Sequence, residues 1–369
     1  MAEFLEQMLT AADPASAENR ELAVREVLDQ AAARIETDLD DNPEVQASVR
    51  TTLAQTYANM GRLEEAEKLL QQVLTQRREM YGNDHPSTAA ALAQLGSVTL
   101  RRGDMAAAEA MLREALAVRR RVLGDAHPDV AASLTELGAV ARAAGRLNEA
   151  EQIFREALET RRRALGAGHA DVAATLRLLG ELLGVQGRFA EAERLLRDAL
   201  ELRRTLLGAD HPSVAAEMLA LAEVNQRQGK LDEAEALLRE SLAQRRRVLG
   251  DKHPDVSATM VRMAQLLLHK GDAAAAEALL RQAVADGREA LGEHHPHVLA
   301  VMNSLGECLV GTDRFAEAEA VLLESLNTAR NVPGERHPHT VSTERLLADL
   351  YEKWGRPDEA APFRQRDDE

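Results

Sequence analysis

The sequence predicts an all-α chain, an α-solenoid of stacked antiparallel helical hairpins. Three observations predict it. Ala, Leu, Glu and Arg dominate the composition while aromatic residues make up only 2%, a balance that favours helix over strand. A His-Pro step recurs every 42 residues at His85-Pro86, His127-Pro128, His211-Pro212, His253-Pro254, His295-Pro296 and His337-Pro338, with His169-Ala170 filling the gap. Within each period, two stretches with apolar residues at helical spacing flank a glycine turn such as Arg102-Gly103-Asp104, Ala144-Gly145-Arg146 or Gln186-Gly187-Arg188.

The first helix of each period is expected to begin at the proline, whose fixed φ and missing N–H suit a first turn. Leu134, Leu137, Gly138 and Ala141 then share one face. The second helix carries Ala150, Phe154, Ala157, Leu158 and Leu165 and is expected to end at Gly166, where a left-handed residue is usual. That glycine recurs as Gly82, Gly124, Gly208, Gly250, Gly292 and Gly334. Two columns hold only small residues. Ala54, Gly96, Gly138, Gly180, Ala222, Ala264, Gly306 and Ala348 fall in first helices, and Ala66, Ala108, Ala150, Ala192, Ala234, Ala276, Ala318 and Ala360 in second helices. Such columns let the two backbones of a hairpin approach closely.

The ends are less regular. Residues 1–43 are expected to form a degenerate N-terminal capping hairpin, whose 11 acidic against 3 basic residues suit an end repeat that faces water. Asn42-Pro43 is a degenerate copy of the His-Pro step, one residue out of phase. Residues 44–369 are expected to form one continuous array of seven 42-residue hairpins plus a truncated last hairpin, because Pro362 lies inside the helix that Pro357 begins.

Composition narrows the function. A net charge of -16 disfavours a nucleic-acid partner, which needs a concentrated cationic surface. The single Cys308 cannot form an internal disulfide, and no apolar run is long enough to insert into a membrane. A soluble protein is expected, in the cytoplasm or, if the region belongs to a membrane-anchored parent, outside it. No nucleophile, base and orienting group recur together and no phosphate loop is present, so neither enzyme activity nor a cofactor is expected. Glu65 and Glu67, like Glu149 and Glu151, open second helices, where acidic side chains favour the positive end of the helix dipole. Seven histidines share one turn position a full repeat apart, too far to share an ion; His294, His295 and His297 form the only close group, and no metal site is expected. The runs Arg119–Arg121, Arg161–Arg163, Arg203-Arg204 and Arg245–Arg247 sit near second-helix ends. They are expected to form a solvated edge paired with Glu114, Glu156 and Glu240, or else a basic stripe for an acidic partner.

The small-residue columns, with apolar residues around them, resemble the tetratricopeptide-repeat family over nearly the whole chain. The 42-residue period and its Leu-Gly-x-x-His-Pro linkers resemble the long repeats of kinesin light chains. The resemblance implies a right-handed superhelix with first helices lining its concave side, and a protein or peptide ligand held there. The residues it points to are Gln55 beside Thr51, then Ser97, Arg101, Thr135, Arg142, Arg177, Glu181, Glu223, Arg227, Gln265, Asn303, Glu307 and Arg345. They flank the small residues Ala90, Ala132, Ala174, Ala216, Ala258 and Ala300. Where kinesin light chains often carry Asn-Asn before the Leu of the first helix, this sequence has Ala93-Gln94, Thr135-Glu136 and Arg177-Leu178; Asn303 alone matches, at the first place. The segments Phe4 to Gln55 and Leu350 to Pro357 are also similar to the region following the kinase domain in bacterial membrane-anchored Ser/Thr kinases. That similarity implies a sensory or docking region, without kinase activity, because no catalytic kinase motif is present.

Overall fold

A computed structural model describes residues 42–330 and 338–364, together with Leu28, Asp29, Ala32, Arg34 and Ile35. The expected capping hairpin over residues 1–43, the linker positions Gly334 and His337, and the tail 365–369 lie largely or wholly outside these residues. From Pro43 onward the described residues form sixteen helices and no strand. They are α1 (Pro43–Asn59), α2 (Leu63–Tyr81), α3 (Pro86–Arg101), α4 (Met105–Leu123), α5 (Pro128–Ala143), α6 (Leu147–Leu165), α7 (Ala170–Val185) and α8 (Phe189–Leu207). Then follow α9 (Pro212–Arg227), α10 (Leu231–Leu249), α11 (Pro254–His269), α12 (Ala273–Leu291), α13 (Pro296–Gly311), α14 (Phe315–Arg330), α15 (Pro338–Lys353) and α16 (Pro357–Arg364).

The helices group into two compact units, residues 1–182 and 183–369. In the first, α1 pairs with α2, α3 with α4 and α5 with α6; in the second, α9 pairs with α10, α11 with α12, α13 with α14 and α15 with α16. A turn of three residues joins the helices of each pair, which pack along each other as an antiparallel hairpin. Within the units, first helices also touch first helices, α3 against α5, α11 against α13 and α13 against α15. No two second helices pack as closely among the described residues.

Local chemistry sets the helix boundaries. Each His-Pro step among the described residues supplies an N-cap: the histidine Nδ1 accepts the backbone N–H two residues on, at 3.2 Å for His85 and Ser87, and at 3.1 Å for His127 and Asp129 and for His253 and Asp255. His169, in front of Ala170 rather than proline, makes the same bond to Asp171 at 3.1 Å. This cap is what the histidine series provides, and it needs a neutral ring with its proton on Nε2. At the other end the expectation of a left-handed residue holds for φ only. Gly166 has φ 84° and ψ 156°, the mirror of the extended region, which is open to glycine and closed to side chains. In the turn inside each hairpin glycine takes positive φ, except in the α13–α14 turn, where Asp313 takes it at φ 58°.

The core lies between the helices of a hairpin and between neighbouring hairpins. Second-helix alanines such as Ala108, Ala150, Ala234 and Ala276 are fully buried. Across from them the first-helix column does more than bring backbones together: it leaves room for a side chain sixteen residues later, Leu112 over Gly96, Phe154 over Gly138 and Leu322 over Gly306. At the C-terminal end Tyr351 stacks on Trp354 and Phe363, and the Arg356 guanidinium lies 4.5 Å from the Trp354 ring centre, a packing role for the aromatic residues of that segment. The last helix runs only from Pro357 to Arg364, with Pro362 inside it.

Candidate functional site

Many of the strong polar contacts among the described residues join one hairpin to the next. The first arginine of two of the runs is not part of a solvated edge. Arg119 and Arg245 are buried, and each reaches across to the first helix of the following hairpin. Arg119 donates to the Asp129 carbonyl at 3.1 Å and to Ser133 Oγ at 2.6 Å; Arg245 donates to the Asp255 carbonyl at 2.7 Å and to Thr259 Oγ1 at 2.9 Å. Arg161 makes the same pair of contacts with Asp171 and Thr175. The expected glutamates do receive arginines, but from the preceding hairpin: Arg78 pairs with Glu114 at 2.9 Å, Arg204 with Glu240 at 2.6 Å, and Arg120 with Glu156. Arg121 and Arg247 reach back to Asp84 and Asp210. The chain's own carboxylates thus occupy much of the basic stripe that an acidic partner would have used.

Glutamates in the first turns of second helices have a similar task. Glu109 accepts from Arg146 at 2.6 Å and Glu193 from Lys230 at 2.7 Å, each across to the turn of the next hairpin. For Glu109 the Arg146 hydrogen bond holds the carboxyl below the usual range. For Glu193 burial pushes the carboxyl up, but the Lys230 and Gln228 hydrogen bonds outweigh it and the net direction is down.

The predicted site residues lie on first helices, and the structure divides them. In the first unit Gln55, Ser97 and Arg101 converge on one cleft of about 270 Å³ with Thr51, Gln94 and Glu136. Arg101 donates to the Ala58 carbonyl at 2.6 Å across that cleft. Thr135 bonds within its own helix, to the Ala131 carbonyl at 2.8 Å. Arg177 pairs with Glu181 at 2.5 Å, and Arg142 approaches the same carboxylate at 3.8 Å. In the second unit Arg227 pairs with Glu223 at 2.7 Å, while Gln265, Glu307 and Arg345 are exposed on their helices. Asn303 differs from the expectation. It is buried, and its Oδ1 accepts Ser325 Oγ and Thr343 Oγ1 at 3.0 Å each, so it ties three helices together instead of facing a ligand. The alanines Ala90, Ala132, Ala174, Ala216, Ala258 and Ala300 are all partly exposed.

The sequence reading of the site left out Gln94 and Glu136. Both stand where kinesin light chains carry the second Asn, and that position was the signal that could have found them. Burial pushes the Glu136 carboxyl up to about 7, against the opposing field of Arg119. Elsewhere, His297 Nε2 meets Ser257 Oγ and burial pushes the ring's pKa down; Cys308 is buried, with its thiol pushed up by burial. Among the described residues no three His, Cys, Asp or Glu side chains are grouped to hold a metal, and no helix is long and apolar enough to cross a membrane.

Hairpins stacked through these contacts define a helical-repeat scaffold. The chain belongs to the tetratricopeptide-repeat family: the MalT-like TPR region matches residues 47–286, more than half of the chain, and the tetratricopeptide-repeat model matches 256–327 and 297–366. Among solved structures, a tetratricopeptide repeat protein from Parabacteroides merdae shares 16% identity with a TM-score of 0.54, covering 83% of this chain and 98% of that one. BtubC (BKLC) from P. vanneervenii shares 21% identity with a TM-score of 0.51, covering 60% and 89%. The kinesin-light-chain TPR-like repeats described from Podosopora anserina share 26% identity with a TM-score of 0.48, covering 54% and 94%. No curated protein matches the sequence. Proteins of this repeat family are generally non-catalytic and bind other proteins.

Proposed function

We propose that the first-helix faces of the two units hold an extended segment of a partner protein. The observation that carries this reading is the pairing of partly exposed alanines with polar side chains. Ala90 and Ala132 in the first unit, and Ala216, Ala258 and Ala300 in the second, leave room for a passing backbone, while Gln55, Ser97, Arg142 and Gln265 stand within reach to bond it. A backbone lying in such a face brings one donor and one acceptor per residue, which amide and guanidinium side chains satisfy without demanding one sequence.

The test is affinity capture from the native lysate with the wild-type chain beside an Arg142→Ala, Arg177→Ala, Arg227→Ala variant. The three side chains pair with Glu181 and Glu223 at the surface, so the variant is expected to keep its helical signal and melting profile. It is expected to lose the partners the wild type retains. Equal recovery of the same partners by a folded variant would remove the inner-face assignment.

A further inference from the structure

Two groups lining the cleft of the first unit are left with unmet acceptors. Glu136 Oε2 and Gln94 Oε1 are both buried, and neither meets a hydrogen-bond donor among the described residues. Buried acceptors are costly to leave unsatisfied, and two of them beside one cleft call for a group with several donors. Part of the remaining wall is apolar, formed by Ala54, Ala58, Leu70 and Val98, and Thr51, Gln55, Asn59, Ser97 and Arg101 line the rest. At about 270 Å³ the cleft falls below the ~300–1,000 Å³ of pockets that enclose whole small-molecule ligands, and its size suits one side chain. An apolar stem with a multi-donor cationic head fits both kinds of wall.

Resting on the inner-face reading above, we propose that this cleft takes an arginine side chain of the bound segment, its guanidinium donating to Glu136 and Gln94 and its methylenes lying along Ala54, Ala58 and Val98. Arginine suits better than lysine because its five donors sit in a fixed planar fork that can serve two acceptor side chains at once, whereas an ammonium is a compact point charge. An acidic side chain would add further acceptors to a cleft that already has two unmet. Two charged groups bear on this cleft. Arg119 of α4 favours its ionised form, and Arg101 of α3, held at the Ala58 carbonyl, lines the same cleft and opposes a second cation. Because burial places the Glu136 carboxyl near 7, the site is expected to hold its cation more firmly at pH 8 than at pH 6, by about tenfold over that interval.

The test is a nuclear magnetic resonance titration of the isotope-labelled full chain with two peptides, acetyl-Ala-Ala-Arg-Ala-Ala-amide and its citrulline counterpart. Citrulline keeps the shape of arginine and removes the charge. The arginine peptide is expected to shift the Gln94 side-chain amide and the Ser97 backbone amide saturably, and to bind at least tenfold more tightly than the citrulline peptide at pH 8. Glu136→Gln, which keeps the size of the side chain, is expected to abolish that preference, and Arg101→Gln to strengthen arginine binding. Equal binding of the two peptides, no shift at Gln94 or Ser97, or a preference that survives Glu136→Gln would overturn the proposal. The Arg142, Arg177 and Arg227 variant leaves this cleft untouched. If that variant still lost its partners, only the arginine assignment would fall, and the inner-face reading would stand.

Discussion

At Gly138 a methyl group has nowhere to go: a Cβ built there would lie 2.5 Å from Phe154 Cε1 and 2.7 Å from its Cδ1. The ring is fully buried, so it cannot swing aside without moving its other neighbours. Gly96 stands in the same column but faces Leu112 Cγ at 3.0 Å, a branched aliphatic side chain that yields more easily. Gly138→Ala is therefore expected to cost about 1–3 kcal/mol of overpacking, measured by urea unfolding, and adding Phe154→Leu to recover most of it. A Gly138→Ala protein as stable as the wild type would show that the contact relaxes freely. The requirement for a small residue was legible in the sequence, because every repeat repeats it. The side chain that fills the space was not, since the pairing spans sixteen residues across a turn. Asn303 shows the opposite limit: its helix position matched the column of predicted site residues, but only the packing of Ser325 and Thr343 against it shows that its polar end is buried among three helices.

Along the elements, the chain spends its punctuation on both helix ends. A histidine N-cap followed by proline starts the first helix, and a glycine at φ near 80–87° closes the second. The histidine's contribution is a single acceptor for an N–H that the helix itself leaves unbonded. His127→Ala is expected to lower stability by about 0.5–2 kcal/mol, and His127→Asn, whose side-chain oxygen can take the same N–H, by clearly less. Chemical denaturation of the two variants checks this; equal losses would mean that the ring acts through packing and not as a cap. Helix starts and stops were legible because Pro and Gly act through their own backbone restrictions. The capping bond was not, because the same His-Pro step could have marked a turn with the ring facing water. Asp313 departs from its column in sequence, and the structure gives it the glycine conformation all the same, so the turn's geometry is imposed by the two helices it joins.

At the scale of the molecule, the 42-residue period was enough to predict hairpins stacking on hairpins, and the family match and the helix order agree with it. The hydrogen-bond partners of the charged residues were not legible, because they lie in the neighbouring hairpin, 10 and 14 residues on for Arg119 and Arg245 and 35 to 37 residues away for Arg78, Arg146 and Glu193, and no local pattern announces them. Those contacts explain why a chain of net charge -16 carries long arginine runs: many of the guanidiniums join its own repeats. They also sort the runs by burial. Arg245 is buried with two bonds into the next hairpin, whereas Arg247 and its partner Asp210 are largely in water. Charge-assisted hydrogen bonds of the first kind are worth about 1.5–3 kcal/mol each, and exposed ion pairs of the second kind about 0–1 kcal/mol.

The claim that hairpins are held by their neighbours, through the first arginine of each run, is tested most directly by urea unfolding of Arg245→Ala beside Arg247→Ala. The account predicts a loss of about 2–4 kcal/mol for Arg245→Ala and no more than about 1 kcal/mol for Arg247→Ala. Equal, small losses at the two positions would contradict it.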